Sequence, residues 1–451
     1  MHILNGQTES RAGKFVLPGR LSERSTMAGT LNDTPGSNRL HIGVFGKTNS
    51  GKSSFINAFT HQEVSIVADV AGTTTDPVYK PMEISPLGPC VIIDTAGFDD
   101  ETELGERRVE KTKLAAEKAD IAVIVVSGAD ACREDASETK DAKEKLQQSS
   151  EKNQENLPDL TEELKWYQFL KEKNTPVLFL VGKADIDPHT DELASYIKEK
   201  TGKQALTVSA KTGAGIDAVR EELARLVPEN YGDRLITGDL VTEEDFVLLV
   251  MPQDIQAPKG RLILPQVQTL RELLDKKCLV MTTDKLLPAF AALKEPPKLI
   301  ITDSQVFGYV YEHKPKESML TSFSVLFAAY KGDLPYYVEG AKMLDSLTNE
   351  SHVLIAECCS HAPLQEDIGR VKIPRMLKKR AGEGITVDIM SGTDFPQDLS
   401  GYDLIIQCGA CMFNRKYVMS RIDRAKKQQV PMTNYGVTIA HLTGILDKIS
   451  M

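Results

Sequence analysis

The stretch Gly46-Lys47-Thr48-Asn49-Ser50-Gly51-Lys52-Ser53 decides the reading of the first half of this chain. It fits the pattern G-x-x-x-x-G-K-S/T, and its setting fits as well. The apolar run Leu40–Phe45 precedes it, and Phe55, Ile56 and Phe59 follow at helical spacing. Strand, glycine-rich loop and helix in that order form a phosphate cradle. Glycines let backbone N–H groups wrap phosphate oxygens, and the helix N-terminus adds partial positive charge. Lys52 is expected to reach the outer phosphates, and Ser53 to ligate Mg²⁺. Gly46, Thr48, Asn49, Ser50, Gly51 and Ser54 complete the expected nucleotide contacts.

Working outward, the runs Cys90–Ile93, Ile121–Val126, Pro176–Val181 and Ala205–Val208 are β-branched and nearly continuous. Strands buried on both faces of a parallel sheet read this way, and their alternation with helical patterns predicts a doubly wound α/β domain. Asp94-Thr95-Ala96-Gly97 ends one such strand. Asp94 can hold Mg²⁺ through water, and the Gly97 N–H can contact a γ-phosphate. Gly72-Thr73-Thr74-Thr75-Asp76 stands where a switch loop belongs, with Thr74 as the hydroxyl expected on Mg²⁺. Lys52, Thr74, Asp94 and Gly97 form the expected catalytic set. Gly182-Lys183-Ala184-Asp185 occupies the place of the guanine-reading Asn-Lys-x-Asp. Asp185 can accept from the guanine edge, and the Lys183 stem can pack on the ring. Gly182 removes the polar group of that motif. Ser209-Ala210-Lys211 matches the last base-side motif.

Residues 40–228 thereby resemble the G domains of the tRNA-modification and ribosome-assembly GTPases. In the potassium-activated members, the position of Asn49 helps to bind K⁺. Phe98 follows Gly97, and an apolar side chain cannot orient the attacking water. The resemblance implies slow GTP hydrolysis to GDP, faster in K⁺ than in Na⁺.

The chain has 451 residues, 41% hydrophobic and 26% charged, which is the composition of two to four globular domains. No apolar run approaches the ~18 residues of a membrane span. A net charge of −10 gives no electrostatic support for nucleic-acid binding. Residues 1–38 read as a mobile lead-in, and Met27 offers a second start. Its Arg11, Lys14, Arg20 and Arg24 leave organelle targeting open, while Glu9 and Glu23 weaken it. Residues 39–229 form the expected G domain, with 133–163 a polar insertion. Residues 235–330 form a second α/β domain, with strands near 245–251, 278–281 and 299–302 and an apolar helix at 319–329. Residues 331–451 form a third, with strands near 353–357, 385–390, 404–407 and 430–434.

Seven cysteines without a secretory signal point to a reducing cytoplasm. Four of them, Cys358, Cys359, Cys408 and Cys411, fall in the third domain. Cys359 with His361 and Cys408 with Cys411 follow strands of a parallel sheet, so their loops share one edge. If Cys411 begins a helix, its thiolate is stabilised there. Three thiolates favour an iron–sulfur cluster or zinc, with His361 as candidate fourth ligand and Glu357 as a second option. The remaining reading is buried, inert thiols.

A G domain followed by Cys-x-His, a gap and Cys-x-x-Cys resembles the FeFe-hydrogenase maturation GTPases, the HydF family. Asp254-Ile255-Gln256-Ala257-Pro258-Lys259-Gly260-Arg261, Ile301-Thr302-Asp303-Ser304-Gln305 and Asn434-Tyr435-Gly436-Val437 share the likeness. Many members carry His immediately before the Cys-x-x-Cys; this chain has Gln407. The resemblance implies a 4Fe–4S cluster on Cys359, Cys408 and Cys411, with His361 a candidate. It implies a scaffold that takes a di-iron H-cluster precursor carrying CO and CN⁻ from radical-SAM maturases and passes it to apo FeFe-hydrogenase. It further implies a homodimer formed by the middle domain; the negative charge and the lack of long apolar runs argue against nucleic-acid and membrane partners. The competing reading is a potassium-dependent GTPase of RNA modification or ribosome assembly with a structural zinc.

Overall fold

The structure is a computed structural model, which describes residues 34–62, 76–98, 103–128, 158–229, 231–252, 262–358 and 367–451. Three α/β units follow one another along the chain, each built on its own sheet.

The first runs β1 (Leu40–Phe45), α1 (Lys52–Thr60), β2 (Val78–Ile84), β3 (Gly88–Asp94), α2 (Glu103–Lys118), β4 (Ile121–Val126), α3 (Thr161–Glu172), β5 (Val177–Val181), α4 (Thr190–Thr201), β6 (Ala205–Thr207) and α5 (Ile216–Leu226). The sheet order is β2-β3-β1-β4-β5-β6, parallel except for β2 against β3. Every residue of β1, β4 and β5 is buried, because helices cover both faces. Strand alternation sorts the side chains. Leu40, Ile42 and Val44 pack with Phe55 and Ile56 on one face, while Phe45 packs with Trp166 and Leu170 on the other.

The edge strand β2 has no counterpart among the sequence-based expectations. Only its last residue, Ile84, is buried, and it contains Pro81, whose missing N–H is tolerated only at an edge. The polar stretch 133–163 also ends earlier on its C-terminal side. Leu160 and Glu163 are buried at the start of α3, and residues 129–157 lie outside those described.

The second unit comprises β7 (Phe246–Val250), α6 (Leu264–Asp275), β8 (Leu279–Thr283), α7 (Leu286–Ala292), β9 (Leu299–Thr302), α8 (Phe307–His313), β10 (Met319–Ser322) and α9 (Phe323–Lys331), with parallel order β10-β9-β7-β8. The apolar helix expected over 319–329 is in fact a strand and then a helix. Ser322 is extended, and its hydroxyl accepts the Val325 N–H, which starts α9 four residues later than the apolar run suggested.

The third unit comprises α10 (Leu334–Ala341), β11 (His352–Ala356), α11 (Ile373–Ala381), β12 (Thr386–Met390), β13 (Leu404–Gln407), α12 (Arg415–Lys427), β14 (Met432–Asn434) and α13 (Tyr435–Leu442). Its sheet, β12-β11-β13-β14, is fully parallel, so β11 and β13 are neighbours with their carboxyl ends on one edge.

The third unit docks on the first through α12 and α2. Arg424 Nη2 donates to Glu117 Oε1 at 2.6 Å, and Lys173 Nζ reaches the same oxygen at 3.1 Å. Asn414 Nδ2 donates to the Lys118 carbonyl at 2.7 Å, and Lys416 Nζ to the Lys173 carbonyl at 2.7 Å. The Lys118 ammonium stands 5.1 Å from the ring centres of Tyr79 and Phe413 and 5.3 Å from that of Tyr417, an arrangement that favours the cation. Burial nevertheless lowers its pKa to about 8.

The same seam holds two groups with opposed titrations. Burial lowers His41 to about 4 and raises Asp120 to about 6; their side chains lie 3.7 Å apart, with Lys118, Lys331 and Lys416 near them. His41 refuses a proton that the unfolded chain accepts, so stability falls as pH drops from about 6.5 to 4. Asp120 takes a proton that the unfolded chain refuses, so stability rises as pH drops from about 6 to 4. The two largely offset. In Asp120→Asn the His41 loss stands alone, and urea midpoints are expected to fall more steeply between pH 6.5 and 4 than in the wild type. Parallel profiles for the two proteins would contradict this assignment.

Candidate nucleotide and cysteine sites

The loop between β1 and α1 is shaped by close approach. Gly46 has φ +151°, and a Cβ there would lie 2.4 Å from the Val125 carbonyl oxygen, so no larger residue fits. Asn49 takes the left-handed conformation at φ 61°. Lys52 is buried, and its ammonium donates back to the carbonyls of Gly46 at 2.9 Å and Lys47 at 2.6 Å. That places the positive charge over the loop that would receive phosphates. Ser53 Oγ stands 3.5 Å from Asp94 Oδ2, the spacing of two groups able to share one hydrated cation. Ser54 lies in the first turn of α1, Thr48 and Ser50 in the loop, and Gly97 just after β3. Thr74 lies outside the described residues.

On the base side, the Ser209 hydroxyl donates to Asp185 Oδ1 at 2.8 Å, leaving the other carboxylate oxygen for a ligand edge. Ala210 continues that loop, and Lys183 is at φ 57°. Gly182 follows β5 and lies against the phosphate loop; a Cβ there would be 3.3 Å from the Ser50 carbonyl oxygen. This is where a longer residue would tie the two loops together, and glycine leaves them untied. Phe98 is buried and stacks on Trp166 at 5.4 Å. Its side chain belongs to the core, so no side chain at that position orients water. All the described nucleotide candidates gather at the carboxyl edge of the parallel strands, where ligands bind in such sheets.

The cysteines gather at the equivalent edge of the third sheet. Cys358 and Cys408 leave β11 and β13 and meet. Cys408 Sγ accepts the Cys358 N–H at 3.0 Å and the Ala410 N–H at 3.4 Å, with Gln407 Nε2 at 3.8 Å. Gln407 Nε2 also donates to Cys358 Sγ at 2.8 Å. Arg421, 1% exposed, directs Nη1 to Cys358 Sγ at 3.3 Å and to Gln407 Oε1 at 3.1 Å. Among the described residues its other bonded neighbours are the Gly392 carbonyl and the Tyr417 hydroxyl, and its Nε–H has no partner there. A buried guanidinium with no carboxylate partner among the described residues calls for anionic charge nearby. The N–H donors around the Cys408 sulfur, with Arg421 on the neighbouring Cys358, favour negative charge on the Cys408 side of the pair.

Several sequence expectations change here. Cys411 does not begin a helix; α12 starts at Arg415, capped by Asn414, whose side chain accepts the Tyr417 N–H. Glu357 is taken by Arg370, through Nε at 3.1 Å and Nη2 at 2.9 Å, and by the Ser391 hydroxyl at 2.9 Å. Cys358 points inward, and burial pushes its thiol well above the usual range. Cys359 and His361 lie outside the described residues, and among the described ones no three potential ligands form a metal cluster. Sequence reasoning set Gln407 aside and missed Arg421. Nothing in a helix pattern marks a buried arginine 63 residues from its thiol partner.

The phosphate loop, the Ser53–Asp94 pair and the base-side loop on one sheet edge define a P-loop GTPase, and residues 41–161 match the family described as 50S ribosome-binding GTPase. Residues 236–332 match the hydrogen maturase F dimerization domain and 335–450 the hydrogen maturase F tetramerization domain. The chain belongs to the hydrogen maturase F family and carries a P-loop GTPase domain ahead of that family's two domains. The tRNA modification GTPase MnmE of Laribacter hongkongensis is 32% identical over 189 residues, which is 42% of this chain and 35% of the relative. MnmE of Endomicrobium trichonymphae is 30% identical over 219 residues, 47% and 40% respectively. The chain thus spans less than half the length of these relatives. The crystal structure of Aquifex aeolicus Era bound to GDP.AlF4⁻ is 19% identical, with a TM-score of 0.33, covering 54% of this chain and 91% of that one. Among the described residues no helix is long and apolar enough to cross a membrane.

The cysteine geometry has a direct chemical readout. In metal-free protein, a maleimide pulse is expected to label Cys411, which is partly exposed, at least about tenfold faster than buried Cys358. Peptide mass spectrometry measures both, and equal labelling would contradict the inward placement of Cys358.

Proposed function

We propose that this protein is a cytoplasmic GTP-driven scaffold that carries a 4Fe–4S cluster and passes a di-iron H-cluster precursor to apo FeFe-hydrogenase. The observation that carries the reading is the Cys408 sulfur held among N–H donors, next to a Cys358 sulfur that Arg421 contacts. Family membership supplies the context. Residues 39–229 act as the G domain, 235–330 as the dimerisation domain and 331–451 as the cluster-binding domain, after the lead-in 1–38. Radical-SAM maturases donate the cargo and the hydrogenase receives it. The protein works as a homodimer, and the family's tetramerization domain extends that to pairs of dimers.

Cys359, Cys408 and Cys411 would hold the cluster, with His361 the candidate fourth ligand. A cluster held there would offer the cargo an exchangeable iron site. Gln407 replaces an imidazole with an amide, which is a poor iron ligand, and donates to Cys358 instead. Arg421 keeps positive charge beside Cys358, next to Cys408.

In the G domain, Lys52 neutralises the outer phosphates, Ser53 and Thr74 hold Mg²⁺, Asp94 holds it through water, and the Gly97 N–H meets the γ-phosphate. Asp185 and Lys183 select guanine, with Ser209 and Ala210 closing the base site. Phe98 supplies no water-orienting group, so intrinsic turnover is slow. A K⁺ at Asn49 compensates part of the transition-state charge.

Two measurements test the reading. Anaerobic reconstitution with iron and sulfide is expected to give absorption near about 400 nm and about four irons per chain, falling sharply in Cys408→Ser and Cys411→Ser. Stoichiometric zinc without iron uptake would sink the cluster. GTP turnover is expected to be several-fold faster in KCl than in NaCl at equal ionic strength, with the difference reduced in Asn49→Ala. Equal rates in the two salts would remove the potassium site.

A further inference from the structure

A cavity of about 390 Å³ lies where the first unit meets the C-terminal end of α9 and the first turns of α12. It is remote from the phosphate loop. Its first-unit wall includes Asn38 and Asp120, which precede β1 and β4, so it lies at the amino edge of the sheet.

Its walls are unusually cationic. Lys173, Arg234, Lys331, Arg415 and Lys416 line it against Glu117, Asp120 and Asp423, five positive groups facing three acids. The acids offset part of this charge: Glu117 is shared between Arg424 and Lys173, Asp120 lies near Lys331 and Lys416, and Asp423 lies near Arg415 and Lys416, so the cations remain in excess. The three innermost cations donate to neutral oxygens. Lys331, 3% exposed, donates to the Ser37 carbonyl at 3.1 Å and Asn38 Oδ1 at 3.0 Å. Lys416 donates to the carbonyls of Lys173 at 2.7 Å and Asn174 at 3.2 Å. Arg415 Nη1 donates to the Lys331 carbonyl at 3.1 Å.

Neutral acceptors satisfy hydrogen bonds without cancelling charge. Burial lowers Lys331 to about 8 and pushes Lys416 and Arg415 down as well, and for Arg415 the facing Arg234 adds to it. Arg234 lies at the exposed mouth. The N-terminus of α12 opens on the same space, adding its own partial positive charge.

We propose that this cavity binds a small multivalent anion of the phosphate class, held by Lys331, Arg415 and Lys416, with Arg234 closing the mouth. The ligand would cross-link the G domain, α9 and α12, because its contacts come from all three. Inorganic phosphate and the phosphate of a small ester share the required chemistry.

The test uses full-length protein saturated with GDP and Mg²⁺, so that the phosphate loop is filled. Inorganic phosphate and glycerol phosphate are titrated separately against chloride at constant ionic strength, with binding followed by calorimetry and ³¹P line width. One saturable site per chain is expected, weakened at least about tenfold in Arg415→Gln and several-fold in Arg234→Gln, with GDP affinity unchanged. Tighter binding of phosphate identifies the free ion as the source, and tighter binding of the ester identifies a phosphomonoester. Absence of saturable binding in the wild type would overturn the proposal. So would equal affinity in Arg234→Gln, whose exposed position leaves folding intact even if Arg415→Gln proves unstable.

Discussion

The arrangement of this protein depends on one buried carboxylate. Glu117, near the end of α2, lies between Arg424 and Lys173 and is 5% exposed. Removing a charge of this kind from water is costly, and the gain appears only when both cationic partners are in place. Losing one partner leaves the other charges buried, typically at about 3–5 kcal/mol. The pair therefore specifies one docking geometry between the G domain and the cysteine-bearing domain. The Asn414 contact with the Lys118 carbonyl and the aromatic rings around the Lys118 ammonium follow from that geometry.

The two functional edges obey a single topological rule. In a parallel sheet the loops at the carboxyl ends of neighbouring strands are brought side by side. The first sheet uses this to collect the phosphate loop, Asp94 and the base-side loop. The third uses it to bring Cys358 and Cys408 together across β11 and β13, 50 residues apart in sequence. The chemistry differs while the positioning device is shared.

Much of this was legible in the sequence. Continuous β-branched runs located β1, β4, β5 and β13 because burial on both faces leaves no polar alternation. The phosphate loop was legible because its glycines answer to backbone geometry that no other residue adopts. What stayed hidden has equally physical reasons. β2 is an edge strand with a proline, buried only at Ile84, so it carries no apolar signature. The β10–α9 junction is apolar on both sides and is broken only by the Ser322 hydroxyl. Arg421 and Glu117 look like ordinary surface charges on helices, and their burial follows from partners 63 and 307 residues away.

The helix α2 runs from just beyond the Asp94–Gly97 segment to the ring cage beside the cysteine loop. Its 16 residues make a rod about 24 Å long. Its last residue, Lys118, is clamped by Phe413, which follows Cys411 by two positions. Helices resist stretching and bending far more than loops do. One stiff element therefore runs from the edge that carries the phosphate loop to the residues next to the thiols.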